Sequence, residues 1–509
     1  MAARPASHLA PRPIITLLVS LLVTLASGTN YVFSAYAPQL AARLHISHTQ
    51  LNAIALAGNV GVYFSSPLWG ITADKLGPKL NLFPSFCFLL AGYSGIWIIY
   101  DNGISAFETS ASTSVILLLV FFTLMTGVGG SGGYMTALNV TARSFPDSLR
   151  GSALGLVVSG FGLSAFLFSF IAQHAFPGQT SYLLLTLALG TALPLLIGVF
   201  VIQPIPLLVP STHESVAVEA DDIDSRTPLI SSISQNVIAE SSVASESSSS
   251  RGSNQIGKKS MPEDSALLKH FHGRKLFASV DFWILFCNFS LVSGVGLMYI
   301  NNVGSIAQVL YIHEHPSNYN QIEISKWQAT QVSTISTVSF SGRIFIGILS
   351  DLVKARWNIP RSYLLVLVPI FALASQITLA SYIIVVSGLW ISSALLGLGY
   401  GMLFSLSTAI VTEWFGLAHF SETLGFLTLS PLIGGNVFSI AFGRNLDKHS
   451  NAEIPTNVSL NVCLDGRSCY VDTLYLTITG CMVAVFLSLW AAWRDRIRRA
   501  EWHERQFSG

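Results

Sequence analysis

Charged side chains are scarce in this sequence. Asp, Glu, Lys and Arg make up 10% of its 509 residues, whereas a soluble protein carries about a quarter. Hydrophobic residues make up 51%, and the mean hydropathy is +0.57. Because the shortage of charge extends along most of the chain, it excludes an ordinary soluble fold, and lipid is the expected solvent.

Other absences exclude further classes of protein. Five Cys residues do not make a disulfide framework, and a net charge of +1 gives no general attraction to nucleic acid. The sequence has no recognisable metal-ligand cluster, no nucleophile beside a plausible base and no phosphate-binding loop. We therefore expect a protein that is not an enzyme and that binds no metal or cofactor.

Long apolar runs are what the sequence does contain. A helix needs roughly 20 mostly apolar residues to cross about 30 Å of hydrocarbon. The first run continues past residue 26 without a cleavage site, so we interpret it as a membrane span and not as a signal peptide. We predict twelve spans, at roughly 14–36, 51–72, 80–100, 113–137, 150–172, 180–202, 280–301, 327–350, 362–384, 387–411, 424–442 and 472–493.

A polar segment separates the first six spans from the last six. It includes the run SSVASESSSSRGS at 241–253 and cannot bury enough apolar surface to fold. We predict a disordered, Ser-rich cytosolic tether that offers sites for phosphorylation. The predicted organisation is an N-terminal six-helix half at 1–203, a tether at 204–276, a C-terminal six-helix half at 277–493 and a basic cytosolic tail at 494–509.

The distribution of Lys and Arg predicts the orientation. Basic residues concentrate in the loops and ends that lie on the same side as both termini, and such residues usually face the cytosol. Both termini are therefore predicted to be cytosolic. This agrees with an even number of spans.

A short charged turn follows span 2. It reads Gly70-Ile-Thr-Ala-Asp74-Lys75-Leu-Gly77-Pro78-Lys79. Gly70 permits close approach of another helix, Asp74 can accept from a helix N-terminus or pair with a base, and the two Lys residues stay at the cytosolic side. Such a turn can act as a latch that holds two helices together in one conformational state.

This turn resembles the signature loop of the major facilitator superfamily. A degenerate copy, Gly347-Ile-Leu-Ser-Asp351-Leu-Val-Lys354, follows span 8, and copies at matching positions indicate internal duplication. The alternative is that these are ordinary helix-ending Gly and Asp residues. The resemblance implies an all-α polytopic membrane protein with twelve transmembrane helices in two six-helix halves, which expose a central site to each side in turn.

In the superfamily, spans 1, 4, 7 and 10 usually line the central site. In this sequence those spans carry polar side chains within apolar runs. Each of them can instead be a structural hydrogen-bonding group between helices. The candidates for substrate binding in these spans are Asn30, Tyr31, Tyr134, Asn288, Tyr299 and Asn301, with Tyr36 and Tyr400 of the same kind.

Arg343 is the most specific single candidate for substrate binding. It is the one basic residue deep inside a predicted span, where a guanidinium costs at least a few kcal/mol unless it is paired or hydrated. The guanidinium presents a fork of donors that suits a carboxylate. A small organic anion is therefore the substrate class that this residue suggests. The alternative is that Arg343 pairs with a carboxylate or a helix end near the cytosolic face.

The chain also resembles two narrower groups of transporters. Arg343 to Asp351 resembles the corresponding stretch of monocarboxylate transporters, although Ser339 and Gln39 stand where that family has Asp and Lys. Over nearly its full length the chain resembles fungal monocarboxylate transporter homologues and nodulin-like membrane proteins, through Gly127-Val-Gly-Gly-Ser-Gly-Gly-Tyr134 and Arg150-Gly-Ser-Ala-Leu-Gly155. The resemblance implies a transporter of a small molecule in the vacuolar membrane. A non-transporting sensor on the same fold is the alternative.

The loop before span 12 carries features typical of a secretory-pathway lumen. Asn457-Val-Ser459 is an acceptor sequence for glycosylation. Cys463 and Cys469 lie six positions apart in the same loop and are predicted to form a disulfide. No periodic face in the sequence identifies an oligomer interface, so no oligomeric state is predicted.

Overall fold

The computed structural model describes residues 11–46, 48–103, 111–176, 179–203, 273–315, 321–449 and 465–507. The regular elements within these ranges are helices. Most of the predicted tether, together with Asn457 and Cys463, lies outside the described residues.

The described residues of the N-terminal half form seven α-helices. Pro84 and Pro194 are accommodated inside two of them. The bounds are α1 (Pro11–Ser27), α2 (Phe33–Leu44), α3 (His48–Leu76), α4 (Pro78–Asn102), α5 (Thr113–Ser144), α6 (Asp147–His174) and α7 (Thr180–Val201), with a 3-10 turn at Thr29–Val32 between α1 and α2.

Eight α-helices and several 3-10 turns make up the C-terminal half as far as the structure describes it. Three helices, of 35, 37 and 37 residues, are longer than a membrane crossing requires. The bounds are α8 (Arg274–Phe277), α9 (Val280–Glu314), α10 (Gln321–Trp357), α11 (Leu367–Ser381), α12 (Leu389–Phe415), α13 (Phe420–Leu427), α14 (Ser430–His449) and α15 (Val471–Phe507).

Two predicted spans are interrupted in the structure. Span 1 breaks at Gly28, where a Cβ would collide with the carbonyl oxygen of Phe161 in α6, so the interruption coincides with a close backbone contact. Span 11 is divided between α13 and α14, and the N–H of Leu429 bonds to the carbonyl of Phe426 at 3.2 Å in the short turn between them.

The outer surface of the helical bundle is apolar. Large side chains such as Phe64, Phe200 and Phe486 are 68%, 72% and 65% exposed, which a water-soluble surface does not tolerate as a continuous pattern. Ten helical stretches of the described chain are long and apolar enough to cross a membrane, and residues 12–27 of α1 form a shorter apolar helix. The composition of this surface confirms the prediction that lipid surrounds the chain.

The glycine-rich stretch of α5 packs against three other helices. A Cβ at Gly129 would lie 2.8 Å from the carbonyl oxygen of Ser85 in α4, and one at Gly127 or Gly130 would collide with carbonyl oxygens of α3 or α1. Small residues at these positions let the helix backbones approach closely. The stretch therefore builds the centre of the N-terminal half.

Candidate functional site

Asp74, near the end of α3, joins the two halves. One carboxylate oxygen accepts from Arg143 Nη2 at 3.0 Å and from Asn139 Nδ2 at 2.6 Å, both in α5. The other accepts from the backbone N–H of Glu422 at 2.8 Å, in the first turn of α13. The carboxylate thus lies at a helix N-terminus, where unpaired N–H groups and the helix dipole favour negative charge.

Gly70 lies one turn before Asp74. A Cβ at this position would collide with the backbone carbonyl of Ser421, so the glycine permits the approach of α13 to α3. Lys75 and Lys79 are exposed, and Gly77 makes the turn into α4 with a φ of +83°. Gly70 and Asp74 therefore make the contact between halves, and Arg143 is the base that pairs with Asp74. We call this contact the first latch.

Asp351, near the end of α10, makes the reciprocal contact. Its carboxylate accepts from the backbone N–H groups of Gly151 and Ser152 at 3.0 and 2.6 Å and from Ser152 Oγ at 2.7 Å. These donors belong to the fifth and sixth residues of α6, in the other half. A Cβ at Gly347 would lie 2.6 Å from the carbonyl oxygen of Gly151. We call this contact the second latch, and it resembles the first, since each half places a carboxylate near the N-terminal end of a helix of the other.

A cluster of charges around the buried Arg361 extends the second latch. Arg361, whose side chain is fully buried, donates to Asp351 Oδ1 at 2.9 Å, to Asp147 Oδ1 at 3.1 Å and to the Asp147 carbonyl at 2.6 Å. Lys354 pairs with Asp147 and, at 2.8 Å, with Glu413. Asp147 belongs to the N-terminal half and the other four residues to the C-terminal half. Sequence reasoning missed Asp147 and Glu413, because acids at helix ends are common and nothing in their spacing indicates a shared partner.

Arg343 lies between the two halves, inside the membrane-spanning part of α10. Its side chain is 5% exposed, and Nη1 donates to the carbonyl of Val158 in α6 at 3.0 Å. Its Cζ lies 5.5 Å from the centre of the Phe404 ring in α12, close enough for a cation–π contact. A backbone carbonyl and an aromatic face are thus among the groups that Arg343 contacts.

Pairs of aromatic rings occur in α5 and α6 of one half and in α12 of the other. The rings of Tyr134 and Phe161 lie 4.7 Å apart, and Phe161 precedes Gly162, which faces the guanidinium. On the other side, the rings of Tyr400 and Phe404 lie 5.0 Å apart. We call Tyr134, Phe161, Arg343, Tyr400 and Phe404 the central cluster. The cluster includes two predicted binding residues, Tyr134 and Arg343.

Asn30, a candidate in span 1, contacts its own half. Asn30 lies in the 3-10 turn and donates from Nδ2 to Asn59 Oδ1 of α3 at 2.7 Å. A Cβ at Gly58 would collide with the same amide group, so Asn30 packs directly on the α3 backbone. Tyr31 lies in the same 3-10 turn.

The candidates in span 7 are dispersed along α9. Asn288 is buried and donates to the Ala484 carbonyl at 2.8 Å and to Ser488 Oγ at 2.7 Å, both in α15. The Tyr299 hydroxyl bonds to Ser393 Oγ at 2.9 Å in α12. Asn301 is exposed. Asn288 and Tyr299 therefore link helices within the C-terminal half.

The predicted lumenal features lie largely outside the described residues. Cys469, in the 3-10 turn before α15, is disulfide-bonded, but Cys463 and Asn457 fall outside the described ranges. The pairing of Cys463 with Cys469 and glycosylation at Asn457 stay predictions.

Comparison with known proteins identifies the architecture. Residues 18–374 match the family profile described as Major Facilitator Superfamily, and residues 267–499 match one described as NFD4, C-terminal domain. A solved structure of the proton:xylose symporter XylE superimposes with a TM-score of 0.58 at 11% identity, covering 93% of this chain and 94% of that one. These matches confirm the predicted all-α polytopic fold of twelve transmembrane helices in two halves.

Fungal proteins are similar over most of the chain. A probable transporter of Neurospora crassa is 25% identical and covers 94% of this chain and 88% of its own length. One from Candida albicans is 26% identical, with coverage of 97% and 94%. An uncharacterized membrane protein of Saccharomyces cerevisiae is 24% identical, with 90% of both chains covered. The predicted resemblance to fungal transporter homologues is confirmed.

Proposed function

The chain belongs to the major facilitator superfamily, and from that premise we propose that it is a secondary transporter that moves a small organic anion across the vacuolar membrane by alternating access. The coarser part, a multi-pass membrane transporter, follows from the family and its relatives. The substrate class, the membrane and the mechanism are the proposal.

The reciprocal latches support alternating access. Asp74 reaches from the N-terminal half to α13, and Asp351 reaches from the C-terminal half to α6. Both lie at the same end of the bundle, which we call the latch end and which the Lys and Arg distribution predicts to be cytosolic. Closing both contacts seals this end, and breaking both lets the halves rock apart. The described arrangement corresponds to the state that is closed at the latch end.

Arg343 is the observation that carries the proposed substrate class. It lies eight residues before Asp351, about 12 Å along the helix, at the interface of the two halves. A guanidinium offers five donors and matches a carboxylate in two parallel hydrogen bonds. A small carboxylate bound there would compensate the buried charge, and the rings of Tyr134, Phe161, Tyr400 and Phe404 suit a short apolar tail.

The proposed location rests on the fungal resemblance and on topology. Both termini are predicted on the cytosolic side, which would place the loop with Asn457, Cys463 and Cys469 in the lumen. A lumenal loop is compatible with a glycosylated asparagine and a disulfide.

Flux measurements on the full-length protein test this proposal. Purified protein is reconstituted into liposomes, and uptake of radiolabelled acetate, lactate, pyruvate and malate is measured against protein-free vesicles. We expect saturable uptake of at least one anion, reduced at least tenfold by Arg343→Ala and less by Arg343→Lys, which keeps the charge but loses the fork. Arg356→Ala, at an exposed position, is the control and should retain uptake.

Two results would contradict the proposal. One is uptake that Arg343→Ala leaves intact. The other is a folded protein that moves none of the four anions, which would favour a different solute or the non-transporting sensor. A tagged protein absent from the vacuolar membrane of the cell would overturn the proposed location.

A further inference from the structure

Helices α6 and α10 contact each other through their backbones along the path from Asp351 to Arg343. A Cβ at Gly155 would lie 2.7 Å from the carbonyl oxygen of Arg343 and 3.2 Å from the Cα of Gly347. Gly151, Gly155 and Gly162 recur on one face of α6 with the spacing of a helix. The contact therefore continues from the second latch into the membrane and ends at the Arg343 side chain.

Gly162 lies directly under the guanidinium. A Cβ added at this position would collide with Arg343 Nη1 and lie 2.7 Å from Cζ. The same Nη1 donates to the carbonyl of Val158, one turn earlier in α6. The guanidinium thus occupies space that exists only because residue 162 has no side chain, and in that space it finds a backbone acceptor.

We propose that Gly162 is a positioning residue, which seats Arg343 against α6 when the latch end is closed, and that Arg343 leaves this seat for the substrate anion when α6 and α10 separate. The second part rests on the proposed function. A side chain that is 5% exposed has little surface left for a carboxylate, so the seat and the anion exclude each other. Each state then supplies its own acceptor for a charge that is costly to leave unpaired in the membrane.

This exchange has a consequence for the transport cycle. Closure of the latch end returns Arg343 to the Val158 carbonyl and weakens its hold on the anion. Anion affinity is therefore lower in the closed state than in the open one, which favours release toward the side opposite the latches. Coupling of this kind requires a group with different contacts in the two states, and the Arg343 guanidinium is such a group.

A buried thiol at the α6–α10 interface reports on closure. Ser350 is 1% exposed, beside Gly151 of α6, and Ser350→Cys is nearly isosteric. In full-length protein in which Cys87, Cys287 and Cys481 are replaced by Ser, the labelling rate of this thiol by a charged maleimide measures opening of the latch end. We expect Gly162→Ala to raise the rate about tenfold with no solute present, equivalent to about 1.4 kcal/mol. Gly190→Ala, where a Cβ would make an ordinary 3.4 Å contact, is the matched control and should leave the rate unchanged.

A double-mutant cycle separates the seat from simple wedging of the helices. If Gly162 acts by seating Arg343, then Gly162→Ala changes little in an Arg343→Ala background, because the displaced group is already gone. If the added methyl group only forces the helices apart, the two effects add, and the proposal is overturned. A labelling rate for folded Gly162→Ala equal to that of the parent protein also overturns it.

The dependence of the labelling rate on solute separately tests the second part of the proposal, in which Arg343 moves to an anion. Acetate, lactate, pyruvate or malate, whichever is transported, should raise the labelling rate of the parent protein and leave Arg343→Ala unaffected. If none of them changes the parent rate while the Gly162→Ala effect and its loss with Arg343→Ala persist, the seat stands and the exchange with an anion is wrong. The seat and the proposed substrate class therefore fail on different measurements.

Discussion

Asp351 and Ser152 lie in opposite halves of the chain and meet through two hydrogen bonds, from the Ser152 backbone N–H at 2.6 Å and from its hydroxyl at 2.7 Å. The same carboxylate also accepts from Gly151 and Arg361. Only a carboxylate can accept from all four donors at once, since a neutral amide presents donors of its own on one side. Loss of the charge should therefore open this latch selectively.

Asp351→Asn tests that expectation by hydrogen exchange. The amide group would place a donor against the donors of α6, so that the backbone N–H of Gly151 or of Ser152 loses its carboxylate acceptor. We expect exchange of a peptide covering residues 147–155 to accelerate about tenfold or more, as for the loss of a charge-assisted hydrogen bond of about 1.5–3 kcal/mol. Asp472→Asn, at an exposed position, is the control. Unchanged protection in Asp351→Asn would show that Asp351 does not hold α6.

Arg361→Met should destabilise the protein as a whole. Arg361 is fully buried between Asp147 and Asp351, and its removal leaves two carboxylates without their shared partner. Breaking one side of a buried ion pair costs about 3–5 kcal/mol, so the apparent unfolding temperature in detergent should fall clearly. Arg356→Met, at an exposed position, should unfold near the parent temperature. Equal melting of the two variants contradicts a structural role for the cluster.

The helices were predictable because each predicted span is an apolar run long enough to cross a bilayer. Their interruptions were not. The break at Gly28 accompanies a close approach to the Phe161 carbonyl, which lies 133 positions further along the chain. A pattern of hydrophobicity along one segment does not record which backbone passes beside it.

The candidate site was predictable in part, where a local sequence pattern marks its residues. The spacing of glycine and acid picks out Asp74 and Asp351, and the structure places both between the halves. Their partners were not predicted, because Arg150 to Gly155 of α6 indicates only a family resemblance and nothing in the sequence of α13 marks Glu422. Asn288 stands out in the sequence as a polar residue in an apolar run, but only packing reveals that its side chain points to α15. Polarity identifies such a residue, and the helix face decides what it contacts.

Gly70→Ala should weaken the first latch. The added methyl group meets the backbone carbonyl of Ser421, and a backbone cannot move aside as a flexible side chain does. We expect a thiol introduced by Ser421→Cys, at a fully buried position, to be labelled several-fold faster when combined with Gly70→Ala, as expected for a population shift of about 1 kcal/mol. Gly443→Ala is the matched control, since a Cβ there meets nothing within 4 Å. Equal labelling in both combinations counts against a role of Gly70 in the latch.

Glu422 connects the first latch to the last residues of the predicted tether. Its backbone N–H donates to Asp74, and its Oε1 accepts from the backbone N–H of Gly273 at 3.0 Å. The Phe277 ring lies 5.0 Å from that of Phe426 in α13, which adds an apolar contact to the polar one. The start of the C-terminal half is therefore docked on the same short helix that Asp74 holds.

Substitution of Glu422 separates the two contacts. Glu422→Gln keeps an oxygen acceptor for Gly273, so hydrogen exchange of the 273–277 segment should remain close to that of the parent. Glu422→Ala removes the acceptor, and we expect exchange at Gly273 to accelerate about threefold to tenfold, for a loss of roughly 0.7–1.4 kcal/mol. The backbone N–H that Asp74 uses is present in both variants, so α13 should stay protected in each. Faster exchange throughout α13 in Glu422→Ala would instead mean that the side chain supports the latch itself.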